Sequence, residues 1–301
     1  MKFCYYAVGF IDVLGQKERL QQLTDLPKMG EDRENFLNSL KKTYGYVAMT
    51  RKDIMNFFEL SATSIENDQI WEKHPPETKK RVIEWRTTKP RFAHISDTIV
   101  MYVPVVNENE VHNLCTIHSM IYSLSSIMLL SLAREIPLRG GIEIGLAGDF
   151  QDIGLYGPAM YAAYDLENRV AQYPRIVVGE SLIDFLNKWA SGEEVQAQKE
   201  SDVLTALNIR FAKASRSFLC EDVDGRPVLD FMGSEMRKEV AKSGNPMGIA
   251  HEGFDFVVRE CERFKKEKKE KLAFRYTLLA DYISSRLPNW CENNTHKPEG
   301  T

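Results

Sequence analysis

The sequence predicts an α/β chain of the α+β kind: a central, mainly antiparallel sheet with helices mainly on one face, in the ferredoxin-like manner, followed by a long C-terminal helix. Three observations predict it. Short runs rich in β-branched residues alternate loosely with helical stretches. An antiparallel hairpin, residues 92–95 and 99–103, lies inside that alternation. The last part of the chain carries one long, charged helical pattern.

Residues 4–12 read as a buried strand that ends in Asp12, with Gly15 soon after. From Gln16 the pattern turns helical. It is strongest over 39–60, where Leu40, Tyr44, Val47, Ile54, Phe57 and Phe58 recur mostly at steps of three and four. Residues 61–90 are polar, with Pro75-Pro76 and a basic run, and read as an insertion or a loose helical excursion. The hairpin follows, with Asp97 at its turn. Residues 107–135 form a long helix bounded by Pro104 and Pro137, because the residue before a proline disfavours helix. A strand over 139–147 contains Gly140-Gly141, and 154–157 is a glycine-bounded turn. A helix over 158–171 has proline at its first turn. A short strand (175–178) and a helix (180–189) come next, then a polar loop or short helix over 191–201. Residues 218–231 form a hairpin turning at Asp224-Gly225. Residues 254–286 form one long helix whose lysine-rich middle is a solvated face, and the tail from Asn293 is disordered. The expected division is a domain over 1–235, with the insertion at about 61–90, and a helical extension and tail over 236–301.

Composition narrows the function. With 43% hydrophobic and 27% charged residues and a net charge of −4, the chain is not patterned to bind nucleic acid or membrane surfaces. The most apolar stretch, residues 117–132, is interrupted by serines, a histidine and a tyrosine, and reads as a buried helix. The N-terminus has no signal-peptide layout. The 5 cysteines are scattered, with no CxxC pair, so neither a disulfide framework nor a zinc site is indicated. A reduced, cytoplasmic protein is the expectation.

The chemistry rests on two aspartates. Asp12 ends one strand and Asp97 sits at the hairpin turn. Each alone is an ordinary turn residue, since Asp caps backbone N–H groups. Side by side on neighbouring strands, they suit two divalent ions, Mn2+ or Mg2+, which take oxygen ligands and clamp a nucleoside triphosphate for displacement at phosphorus. Polymerase palms and phosphatases also use such pairs.

Five stretches, in order across residues 5–185, resemble the class III nucleotide cyclases. Gly9-Phe-Ile-Asp-Val-Leu-Gly15 is similar to their first motif and Ile95-Ser-Asp-Thr-Ile-Val to their second. Arg139-Gly-Gly-Ile-Glu-Ile-Gly145 is similar to their third strand. Gly157-Pro-Ala-Met-Tyr-Ala-Ala-Tyr-Asp-Leu-Glu167 resembles their glycine-led helix, and Arg175-Ile-Val-Val-Gly-Glu-Ser-Leu the strand and turn after it. The resemblance implies a ferredoxin-like cyclase domain in which Asp12, Asp97 and the Val13 carbonyl bind two metal ions. Arg139 is then a catalytic candidate, and Ala93, Gly157 and Tyr161 border the substrate.

The departures specify more. The lysine that reads the base in purine-specific members falls at Ala93, and a second reader falls at Gly154. The transition-state Asn and Arg fall at Tyr161 and Asp165. Arg169, one turn on, is a candidate replacement; Arg139, Arg216 and Arg226 are candidates for the triphosphate. By period two, Glu143 shares a strand face with Arg139. This pattern, with the long separation of Asp12 and Asp97, resembles the pyrimidine (cytidylate or uridylate) cyclases of the Pycsar anti-phage defence system. The resemblance implies UTP or CTP as substrate and a homodimer with shared active sites. It also implies a separate effector protein that senses the cyclic nucleotide, with neither nucleic acid nor membrane as partner. Four readings stay beside it: a catalytically degenerate cyclase-like nucleotide-binding module, a purine (adenylate or guanylate) cyclase, a phosphodiesterase or polymerase-type enzyme, and a structural dimer built on the long helices.

Overall fold

β1 (Phe3–Val13) is apolar on both sides and lies at the centre of the molecule. Its Ala7, Ile11 and Val13 face one core cluster, and Val8 and Phe10 face another. The computed structural model describes residues 3–291 apart from 22, 24–26, 28–29, 65, 67–70, 73, 87, 107–111, 194–201 and 243–245. The expected tail from Asn293 and most of the expected loop over 191–201 lie outside the described residues.

Along the chain, β1 is followed by α1 (Gln16–Gln21), α2 (Glu31–Ser64) and α3 (Pro76–Arg86). Then come β2 (Arg91–Ile95), β3 (Thr98–Pro104), α4 (Leu114–Ala133), β4 (Leu138–Phe150) and β5 (Gly154–Tyr156). α5 (Pro158–Asp165) runs into a π-helical turn, Leu166–Ala171. β6 (Ile176–Val178), α6 (Glu180–Ser191) and α7 (Asp202–Arg216) follow, then the hairpin β7 (Leu219–Glu221) and β8 (Pro227–Leu229). α8 (Ser234–Ala241), α9 (Pro246–Lys266) and α10 (Glu270–Cys291) close the chain. The described strands form one sheet in the order β2–β3–β1–β4–β6–β8–β7, with β5 on β4. It is antiparallel except between β4 and β6.

Helices lie mainly on one face of this sheet, with α5 on the other. α2 and α4, backed by α7, α9 and α10, bury one side. α5 lies on the other, close enough that a Cβ on Gly141 would stand 2.6 Å from the Ala163 carbonyl oxygen. Small residues at 141, 145, 159 and 163 make this approach possible, because packed interiors leave no slack for an added methyl.

α4 is the central helix. By length and composition it is apolar enough to cross a membrane, yet it lies almost wholly buried inside the protein. Three of its serines cost little, because the hydroxyls of Ser123, Ser126 and Ser131 donate to the carbonyls of Met120, Tyr122 and Met128 at 2.8–2.9 Å; Ser119 donates to Ser61 on α2 at 3.1 Å, and the Ser125 hydroxyl has no partner among the described residues. The helix starts at Leu114 rather than 107: Asn113 caps it, accepting from the Thr116 N–H at 3.1 Å.

The single helix expected over 254–286 is two. It breaks at residues 267–269, where Lys268 takes φ of +56° and the Lys269 N–H reaches back to the Phe264 carbonyl at 2.9 Å. Folding α10 back on α9 buries Phe264 against Tyr276, which a straight helix would leave in water. The expected turn at 154–157 is instead the short strand β5. α7 and α8 had no counterpart in the sequence reading. Side chains of α9 and α10 join the same buried cluster as β1 and α4.

Candidate functional site

The register aligns one row across the α5 face of the sheet: the apolar Ile95 on β2, then the polar Thr98 on β3, Asp12 on β1 and Arg139 on β4. Period two sends these side chains to the face opposite α4. The hairpin turn is tied to the end of β1, since the Val13 N–H donates to the Asp97 carbonyl at 3.2 Å. Asp12, Asp97, Val13 and Arg139, far apart in sequence, thus meet at one sheet edge.

The electrostatics there are unbalanced. Arg139 Nη2 lies 3.5 Å from Asp12 Oδ2. Its Nε donates to Glu167 Oε1 at 2.7 Å, and Nη2 closes on the same oxygen. The Thr98 hydroxyl donates to Asp12 Oδ1 at 3.5 Å. One arginine serves two carboxylates while a third, Asp97, stands nearby. Burial, then the charges of Glu167 and Asp97, push the Asp12 carboxyl up to about 6, against the pull of Arg139 and Thr98.

That deficit of positive charge is the test of the expected metal. Two carboxylates, a hydroxyl and a backbone carbonyl are oxygen donors of the kind Mg2+ and Mn2+ prefer, and repulsion on Asp12 is what a cation relieves. The residues fit a divalent ion that also takes ligands from a phosphate. Among the described residues, no group of three or more His, Cys, Asp or Glu side chains forms a self-sufficient cage.

Glu167 is the residue sequence reasoning missed as a site residue. It is 4% exposed, and the π-helical turn at the end of α5 directs it at Arg139. Its signal was the Leu-Glu pair that ends the resembling helix.

The other expected residues divide. Ala93 lies on the α5 face, packed with Val8, Phe10, Val100 and Tyr102. Gly154 takes φ of +79°, which explains glycine at the start of β5. Gly157 is required by packing: with φ of +146°, a Cβ would stand 2.8 Å from the Ala147 Cα. Tyr161 is 61% exposed on α5 beside Tyr164, so it is not a core residue. Arg169 Nε stands 3.0 Å from Asp165 Oδ1, an ion pair without hydrogen-bond alignment. The Glu143 carboxylate is turned away from Arg139 into the sheet–α6 junction, where it accepts the N–H groups of Ile144 and Leu182 at 2.8 and 3.0 Å. Arg216 ends α7, and Arg226 sits in the β7–β8 turn at the far side of the sheet, so neither joins the Asp12 row. Comparison with known proteins found no matching family model, no matching curated protein and no matching solved structure.

Proposed function

We propose that this chain is a pyrimidine nucleotide cyclase, converting UTP or CTP to the 3′,5′-cyclic monophosphate and pyrophosphate. The observation that carries this reading is the meeting of Asp12 and Asp97 at neighbouring strand ends, with the Arg139 cation beside them. The strand order β2–β3–β1–β4, with α2 and α4 as connections, supports a ferredoxin-like cyclase domain.

Asp12 and Asp97, with the Val13 carbonyl, would hold Mn2+ or Mg2+, which supplies Lewis-acid chemistry at the hydroxyl and the phosphates. In the reaction the 3′-oxygen bonds to the α-phosphorus, the bond to the pyrophosphate oxygen breaks, and the hydroxyl proton leaves to solvent. Arg139 contributes positive charge where the phosphate gains negative charge, and Glu167 fixes its guanidinium. Tyr161, exposed on α5, would border a site completed by a second protomer in a symmetric homodimer. The product would act as a messenger for a separate effector in anti-phage defence.

A second reading has its own observation. The helix positions of the family's transition-state pair hold Tyr161 and Asp165, and Arg169 is engaged by Asp165. That favours a nucleotide-binding module without turnover. Incubating the protein with ATP, GTP, CTP and UTP and Mn2+, followed by mass spectrometry, separates the two. The expected products are cyclic UMP or cyclic CMP, with Asp12→Asn lowering the rate by at least about a hundredfold. No cyclic product from any nucleotide supports the binding module, and a cyclic purine as main product refutes the pyrimidine assignment.

A further inference from the structure

We propose that the cleft between α2 and the β2–β3 hairpin is a base-binding pocket that takes a pyrimidine; this rests on the nucleotide reading above. The cleft encloses about 460 Å³. Sites for small molecules run from roughly 300 to 1,000 Å³, so a nucleoside is of suitable size.

Its position ties it to the carboxylates. Asp97 lies in its wall, so one residue borders both the cleft and the Asp12 row. Ala93, where purine-specific cyclases carry a base-reading lysine, packs on the other face of the hairpin. A base in the cleft is therefore read by a different set of groups.

Those groups are present. Tyr44, 70% exposed, and Ala48 give α2 an apolar wall with one aromatic ring. Arg51 projects from the next turn, its guanidinium held over the Phe92 ring at 5.1 Å. A planar cation at this rim can stack on a base or donate to the C2 carbonyl that cytosine and uracil share. Gln16, also in the lining, is 3% exposed, and its side-chain oxygen finds no hydrogen-bond partner among the described residues. An unpaired buried acceptor costs about 1–3 kcal/mol, so it marks a place where a ligand can supply the missing donor. The cytosine amine and the uracil N3–H are both such donors, and the amide's own N–H group meets the neighbouring base acceptor.

The test is calorimetric titration of the full chain with UMP, CMP, AMP and GMP in EDTA, beside the cyclisation assay. Ala48→Trp fills the cleft and is expected to weaken UMP or CMP binding at least about tenfold; Gln16→Ala is expected to weaken it about fivefold. Melting curves show whether each variant is folded, and Gln16→Ala stands in if Ala48→Trp is not. Wild-type affinity in both folded variants overturns the pocket. If cyclic UMP or CMP is still produced, the cyclase reading survives that result. Tighter binding of AMP or GMP than of either pyrimidine also overturns the assignment. Pyrimidine binding lost in the variants, with no cyclisation by wild type, supports the pocket and leaves the cyclase reading as the one that failed.

Discussion

Two arginines, the half-buried Arg139 and the buried Arg175, each sit among carboxylates, and the protein uses them differently. Arg175 joins the end of the π-helical turn to the β7–β8 hairpin. Its guanidinium meets Asp222 at 2.6 Å and Asp224 at 2.7 and 3.0 Å, and donates to the carbonyls of Ala171 and Val170. It also stacks over Tyr173 at 4.4 Å. Burial opposes its charge, but the bonds from Asp224 and Asp222 outweigh it, and in return Arg175 holds the Asp224 carboxyl below its usual range. Arg139 is spread over Glu167 and a more distant Asp12, with Asp97 close by, and Asp12 is pushed up rather than down. A cluster built for stability satisfies its charges internally. The Asp12 cluster leaves a charge for something else to satisfy.

The largest expected effect breaks the satisfied cluster. Arg175→Leu strands Asp222, whose side chain is 5% exposed, and is expected to cost about 3–5 kcal/mol in urea unfolding. A loss below about 1 kcal/mol would remove the contrast. The next effect has the opposite sign. The folded Asp12 carboxyl gives up its proton near 6, whereas the unfolded one does so near its ordinary value, about 3.9. The folded state binds more protons between these values, so Asp12 lowers stability progressively as pH rises from about 4 to 6, and fully above that. Asp12→Asn should therefore stabilise the protein by roughly 3 kcal/mol at pH 8 and by almost nothing below pH 4, read by urea unfolding at each pH. Destabilisation at pH 8 would mean that Asp12 is a structural partner of Arg139 after all. The smallest effect calibrates both. Arg169→Ala removes a pair that is 68% and 34% exposed and should shift stability by less than about 0.5 kcal/mol.

The same contrast explains what was legible. Strands with a strict apolar period and turns with a local cause were visible, as at Asp12, Asp97 and the Asp224-Gly225 hairpin. The break at Lys268 was not, because no glycine or proline marks it; burial of Phe264 against Tyr276 decides it, and that contact is tertiary. The start of α4 was misread because the proline boundary said where helix was permitted, while Asn113 supplies the cap that sets it. The Asp12–Asp97 pair was readable as a motif. Glu167 escaped because the Leu-Glu pair marks the end of the helix but not the π-helical turn that brings the carboxylate onto Arg139.

α4 also has a consequence for how the chain is made. It is the most apolar segment, and part of its cover is α9, encoded far downstream; Gly253 of α9 packs so closely that an added Cβ would stand 3.3 Å from the Leu132 Cβ. During synthesis α4 leaves the ribosome well before that cover exists. The hydroxyls of Ser123, Ser126 and Ser131 are already bonded within its own turns, so these three place no demand on later segments while the helix waits. The part of its apolar surface that α9 covers, however, stays open to chaperones until α9 emerges.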